Sequence, residues 1–354
     1  MNDLDERITD VLRAHADGPV DTVALSARAV ERGRTLQRRR RVGYAATSVG
    51  VVALAAMTAV VASRPSTQDS ASHPRPSLPA LPVAVGVPGL DKAPSQVGAD
   101  AGTVHFSVDA LTAGARTATW TVSPGLEQVQ LIGGAVPSAH IAVARKQSTF
   151  TNMPLNVDGP NGAPASVGDR VMINGQVAVV RSGASTVPET RYWQILWQPV
   201  RGVWARVDTH APNLKAALGV ANALQSGNAR RCVIPYRLTS LPTGLTKTGC
   251  SVTLNRTGPG PHLFSDLTVS DGTGKSIELS VQRDDHKPTP HPNGTVDGHR
   301  FAWRADIEPT LEMHGFHGLV VFLTEQPHGF SEPSATKLIR GMHVVPDLEH
   351  PATW

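Results

Sequence analysis

Three groupings of side chains in this sequence have the types and spacing that chemistry uses. The first is DGTGKS at 271–276, which ends like a phosphate-binding loop. Such a loop cradles phosphate in backbone N–H groups between a strand and a helix N-terminus, and it needs a glycine five residues before the second one. That position is Val269, and the IELSVQ after Ser276 alternates like a strand, so a hairpin turn is expected. The second grouping is a late run of histidines, His286, His291, His299, His314, His317, His328, His343 and His350, with Asp284 and Asp285 beside the first. Imidazole and carboxylate in DDHKPTPHPNGTVDGH could ligate a borderline metal. The Pro and Gly content gives no rigid outer support for a catalytic metal, and no zincin spacing occurs. A solvated polar loop is the plainer reading, and no metal or other cofactor is expected.

The third grouping is Cys232 and Cys250, the only cysteines in the chain. Zinc would need two further ligands, and neither a CxxC nor a nearby HxxxH is present. A disulfide is favoured, and closing so short a loop stabilises a fold by about 3 kcal/mol. With no GxSxG nucleophile elbow and no free thiol, no catalytic residue is assigned. Two sequons, Asn255-Arg256-Thr257 and Asn293-Gly294-Thr295, matter only in a host that glycosylates them.

A disulfide requires an oxidising compartment, and the elements that set the compartment lie near the N-terminus. From Val42 to Ser63 there are 22 residues without a charge. At helical rise they reach about 33 Å, enough to cross a hydrocarbon core. Arg28, Arg32, Arg34 and Arg38, Arg39, Arg40 and Arg41 precede the segment, while only Arg64 and Arg75 follow closely. Arginines resist translocation, so residues 1–41 are expected in the cytoplasm and the remainder outside. A cleaved signal peptide would carry a basic region 41 residues long and lacks a clean Ala-x-Ala site at Ala59 to Ser63. QRRRRVG likewise lacks the rest of a twin-arginine signal. This orientation leaves Cys232 and Cys250 on the oxidising side and DGTGKS without ready ATP.

Charge excludes one class of partner. Residues 1–41 hold nine Arg against seven Asp or Glu, and the other residues hold 24 basic against 22 acidic. A near-neutral outer part has no electrostatic footprint for nucleic acid.

The tail reads as short helices, with Leu4, Ile8, Val11 and Leu12 at helical spacing behind an Asp3 cap, and a second segment beginning at Asp21. Residues 64–80 are a Pro/Ser-rich linker. Beyond it, TVHFSVDA, TATWTVS, VMINGQVAVVR, YWQILWQPVRGVWARVDT, SDLTVSDGTGKSIELSVQR and HGLVVFLTEQ alternate apolar and polar residues between turn signals, as antiparallel strands do. Asn174-Gly175 and Asp271 to Gly274 suit tight hairpins. Trp193, Ile195 and Trp197 share a face, expected to be core.

Three pairs of segments recur in the same order: LPVAVGVPGL with IPYRLTSLPTGL, INGQVAVVRSG with VDGHRFAWRAD, and RGVWARVDT with HGLVVFLTE. Each series ends in a helix candidate, NLKAALGVANALQSG capped by Asn213, with Leu214, Leu218, Ala221 and Leu224 inward, and EPSATKLIRGM capped by Ser334. Order-preserving self-similarity points to duplicated units.

The tail LDERITDVLRAHADGPVDTVALSARAVERGRTLQRRRR, followed by one modest span, a Pro/Ser tether and a β-rich outer part, resembles single-pass envelope proteins of actinobacteria. Some proteins of that layout are anti-sigma factors, but the zinc-binding His and paired Cys of that family are missing before the span, so no functional residue carries over. The fold class expected is α+β: a cytoplasmic helical tail (1–41), a transmembrane helix (42–63), a linker (64–80), and two antiparallel sheet-plus-helix domains, 81–228 and 229–350. The functional expectation is an extracytoplasmic ligand- or partner-binding module able to signal to the tail, more a binding protein than an enzyme. Its partners would be membrane lipid, an envelope protein or small ligand outside, and a cytoplasmic protein at the tail, with no nucleic acid. A passive structural or lipid-handling protein and an anchored hydrolase using the late histidines are the alternatives.

Overall fold

The computed structural model describes residues 77–150, 168–185, 187–256, 262–273, 275–283, 289–305, 309–326, 331–348 and 350–354. The expected tail, membrane helix and Arg38, Arg39, Arg40 and Arg41 lie outside the described residues, as do Asp284, Asp285, His286 and His328. Among the described residues, no helix is long and apolar enough to cross a membrane.

The linker's last residues join the fold, with Leu78 and Leu81 both in the first hydrophobic core. β1 (Val83–Pro88) follows. TVHFSVDA then departs from the expected strand: only β2 (Thr103–Val104) is paired, and the chain coils into α1 (Asp109–Thr112). The reason is local capture of the backbone and side chains. The buried Glu127 carboxylate accepts the His105 amide at 2.6 Å and the Gly98 amide at 2.8 Å, and meets His105 Nδ1 at 2.6 Å. Ser107 pairs with Gln225 instead of continuing a ladder. All of His105, Phe106, Ser107 and Val108 are consequently buried, whatever their polarity.

From β3 (Ala115–Ser123) the alternation holds. Ala118, Trp120 and Val122 enter the core, and Thr117, Thr119 and Thr121 take the other face. β4 (Leu126–Gly134) and β5 (Ala139–Ala144) continue the meander. A second meander follows, β6 (Asp169–Ile173), β7 (Gln176–Gly183), β8 (Arg191–Val200) and β9 (Val203–Ala211), with β9 returning to lie beside β5. Asn174 and Gly175, at φ 47° and 81°, form the expected hairpin turn, whose positive φ angles match the strand twist. Ile195 and Trp197 are buried and Trp193 packs against the same core. α2 (Leu214–Asn222) is capped as expected, with Asn213 Oδ1 accepting from Ala216 N at 2.9 Å. Its fully buried face is Ala217, Val220 and Ala221, with Leu214 and Leu218 at the margin.

β10 (Asn228–Arg231) then inserts between β1 and β2. β11 (Tyr236–Leu238) leads into a second meander series: β12 (Thr246–Asn255), β13 (His262–Ser270) and β14 (Ser276–Arg283), then β15 (Gly294–Val296), β16 (His299–Arg304), β17 (Thr310–Phe316) and β18 (Leu319–Gln326). Asp271, Gly272, Thr273 and Lys275 lie between β13 and β14 in a turn, with Asp271 Oδ1 accepting from Thr273 N at 2.8 Å and Lys275 N at 3.3 Å. α3 (Glu332–Arg340) begins one turn earlier than expected. Ser331, not Ser334, is its N-cap residue, because Pro333 lacks an N–H and fits the first turn, where that donor has no helical partner. β19 (Met342–Val344) returns to pair with β11.

The result is β-rich, with few helices and a 14-stranded antiparallel sheet ordered β15-β16-β17-β18-β14-β13-β12-β3-β4-β5-β9-β8-β7-β6. Read outward from the β3–β12 seam, both directions show the same order: three strands in sequence, then four in reverse. In chain order a helix follows β9 and β18, the last strand of each series in the large sheet, and a short strand after the helix pairs back to the strand that opened the series. Two cores lie on the sheet. One gathers Ile141, Val207 and Ile195 with α2, and also Val252 and Leu254 of β12. The other gathers Leu279, Val321 and Leu311 with α3.

Candidate functional site

Four consecutive residues after the first series, Arg230 to Val233, brace or border a cavity. Arg230 turns inward, forming an ion pair with Asp109 and donating from Nη1 to the Leu81 carbonyl at 3.4 Å. Strand alternation sends Arg231 the other way. Cys232 is buried and bonded to Cys250 of β12, with Cα atoms 6.3 Å apart, and its amide donates to the Gly102 carbonyl at 2.8 Å. The expected disulfide is therefore present, and it fixes the chain leaving β10 against the start of the second series.

Beside that crosslink lies a cavity of about 430 Å³. Its apolar wall includes Leu238, Leu241, Leu267, Val269 and Trp354, whose indole Nε1 donates to the Asp347 carbonyl at 2.7 Å. Tyr236 stands in the wall fully buried, its hydroxyl donating to the Leu279 carbonyl at 3.0 Å. Burial pushes its pKa well up, with Asp266 adding to the shift, so it serves as a neutral donor.

Arg231, Arg237 and Lys247 also line the cavity, and among the described residues no Asp or Glu does. Burial lowers the Lys247 pKa and Arg231 pushes it the same way, against the opposing pull of Asp100. Burial works to raise the Asp100 pKa in turn. That effect is outweighed by hydrogen bonds from Gly102 N at 2.8 Å and Thr103 Oγ1 at 2.7 Å, helped by Lys247 and His105, so its pKa falls. Among the described residues, none of the three cations has a carboxylate within ion-pair distance. An apolar hollow with unpaired cations at its edge can hold a molecule that combines apolar surface with negative charge.

A second polar cluster lies on the opposite face of β5, β8 and β9. Asp208 accepts from the Tyr192 hydroxyl and from Gln194 Nε2 at 3.3 Å, and meets Arg206 Nε at 2.6 Å. Arg206 also donates to the Phe150 carbonyl at 2.9 Å. His140 neighbours them, its pKa lowered by burial and Arg206 against the opposing effect of Asp208. His140, Tyr192 and Asp208 expose only 2, 7 and 0% of their surface, so the cluster is a closed crosslink, unavailable to a substrate as it stands. In the matched segment of the other series, Phe322 and Thr324 occupy the places of Arg206 and Asp208.

The late histidines are only partly gathered. His299 and His317 approach each other around Phe316, with ring centroids 5.7 Å apart. His314 Nε2 meets Glu312 Oε1 at 2.9 Å, and Arg304 donates to the other oxygen of Glu312 at 3.1 Å. Among the described residues, no group of three or more His, Cys, Asp or Glu could hold a metal ion. His343 and His350 lie elsewhere, on β19 and at the C-terminal turn. Sequence reading missed Arg231, Arg237 and Lys247 as a group. The available signal was the Arg230-Arg231 pair abutting Cys232, which forces one arginine in and the next one out.

No known protein family matches the chain, and no curated protein does. The crystal structure of MucB in complex with MucA(peri) is similar at 12% identity and a TM-score of 0.22, over 65% of this chain and 93% of that one. The complex structure of Pseudomonas aeruginosa MucA/MucB is similar at 13% identity and a TM-score of 0.22, over 73% of this chain and 99% of that one. Overlap at this level transfers no function between the chains.

Proposed function

We propose that this chain is a single-pass envelope protein, with residues 1–41 in the cytoplasm, 42–63 across the membrane and 64–80 as a tether. Its outer part is a ligand- or partner-binding module, built from two copies of one pattern, 81–228 and 229–350, and it signals to the tail. The cavity beside Cys232–Cys250 is the observation that carries the binding role. The disulfide supports an outer location, since such bonds persist in oxidising compartments. The mirrored strand order and the matched hairpin turns at Asn174-Gly175 and Asp297-Gly298 support the duplication.

Two measurements test this reading. A periplasm-active phosphatase fused after Trp354 is expected to be active, and one fused after Arg41 inactive; the reverse pattern refutes the topology. For binding, the full chain in nanodiscs is incubated with envelope extract and its bound components are read by native mass spectrometry. A component lost in Leu241→Trp, which fills the cavity, is expected. A chain that retains nothing, or a Leu241→Trp variant that retains the same component, refutes the cavity as the binding site.

A further inference from the structure

We propose that the cavity binds an anionic amphiphile, its carboxylate or phosphate head held by Arg231, Lys247 and Arg237 and its apolar body lying against Leu241, Leu267 and Trp354. The assignment rests on the outer part being a ligand-binding module and names the chemistry of its ligand.

The observations exclude the simpler ligands in turn. A metal ion would enter a space edged by three cations, with no Asp or Glu side chain in its lining among the described residues, against the local field. A small inorganic anion would satisfy the cations but leave the apolar wall wet. A neutral apolar molecule would cover the wall while burying cations without partners, which costs free energy. Lys247 already shows that cost, because burial and Arg231 both disfavour its charged form. A head group accepting from Arg231 and Lys247 reverses it through charge-assisted hydrogen bonds. The volume of about 430 Å³ falls within the range of small-molecule sites. The remaining polar groups of the wall are already occupied. Tyr236 donates to Leu279 and Trp354 to Asp347, so the body of the ligand meets carbon.

The test uses the full chain in phosphatidylcholine nanodiscs, titrated with decyl phosphate, decanoate, decanol and inorganic phosphate while tryptophan fluorescence is followed. Decyl phosphate and decanoate are expected to shift the emission saturably, with decanol at least tenfold weaker and inorganic phosphate without effect. Arg231→Gln and Lys247→Gln are expected to weaken decyl phosphate about tenfold each with melting temperature unchanged. Trp354→Phe should lose the spectral shift, which ties the signal to this wall of the cavity. Competition by phosphatidylglycerol nanodiscs identifies a lipid headgroup as the source, and its absence a free amphiphile; either agrees with the proposal. Decanol binding as tightly as decyl phosphate overturns the anionic assignment and leaves a binding cavity. Failure of every probe also overturns it, and the binding-module reading then stands or falls separately on the component recovered from envelope extract.

Discussion

Asp266, on β13, faces away from the second core, and burial raises its pKa to about 6, opposed by the Ser280 hydroxyl at 2.6 Å and reinforced by Glu278. An acid with a folded pKa above its unfolded value binds more protons when folded. Its contribution to stability therefore falls as pH rises from about 4 to about 6 and stays unfavourable above that. Asp266→Asn keeps an acceptor for Ser280 without the charge. It is expected to stabilise the protein by about 1–2 kcal/mol at pH 7.5, after allowance for partial solvent screening. Urea denaturation of both proteins at pH 7.5 and 4.5 checks this, with the advantage shrinking at the lower pH; a constant advantage would point to packing instead. The disulfide gives the opposite kind of test. Replacing Cys232 and Cys250 by Ala is expected to cost about 3 kcal/mol and to lower the melting temperature by about 6–12 °C, read by calorimetry. That pair was legible because two cysteines allow one pairing. The cations of the cavity were not legible. Lys247 and Arg231 come from different strands, and alternation says which face a residue takes without saying what faces it.

The helices and turns show which local signals decide structure. Asn213 caps α2 by accepting from a helix amide, whereas the Ser331 hydroxyl meets only that of Ser334 and accepts from no amide of α3. Asn213→Ala is therefore expected to cost about 1 kcal/mol and Ser331→Ala a few tenths at most, measured by chemical denaturation. Two glycines separate conformational from steric demand in the same way. A methyl added at Gly175 meets nothing within 4 Å, and its cost is the left-handed φ of 81°, about 1 kcal/mol. A methyl at Gly294 falls 2.2 Å from the ring of the buried Phe301, and repacking is expected to cost about 3 kcal/mol. Hydrogen exchange should show both losses confined to the β6–β7 and β15–β16 hairpins. Most strands were readable because each buries one face, so period-two alternation survives. It fails at 105–108, where Glu127 draws polar groups inward and no ladder partner runs alongside. The start of α3 was misplaced because Ser331 and Ser334 both precede apolar residues, and only the fit of Pro333 into the first turn separates them.

For the whole molecule, the two series share one sheet, and the first core extends across the seam to Val252 and Leu254. Ile234 and Leu348 pack against both cores. The repeated units are therefore expected to melt as one. Circular dichroism and tryptophan fluorescence should report coincident denaturant transitions, and residues 77–228 expressed alone should lack a cooperative one. Two separate transitions for the full chain would show that each core stands by itself. Three short matched segments agree with the mirrored strand order, and two of them contain hairpin turns at positive φ that glycine accommodates. The strand order was not visible, because pairing between β5 and β9 or between β14 and β18 is long-range and leaves no periodic trace. The seam itself rests on six residue pairs between β3 and β12, with Thr119 and Thr253 hydroxyls bonded at 2.9 Å. As a contact between separate chains, so narrow an edge would come apart on dilution. Within one polypeptide the partners meet at an effective concentration in the millimolar range, so the join holds at any expression level. Symmetry is then no longer enforced. One series carries Arg206 and Asp208 where the matched segment of the other has Phe322 and Thr324, a difference that two identical subunits could not encode.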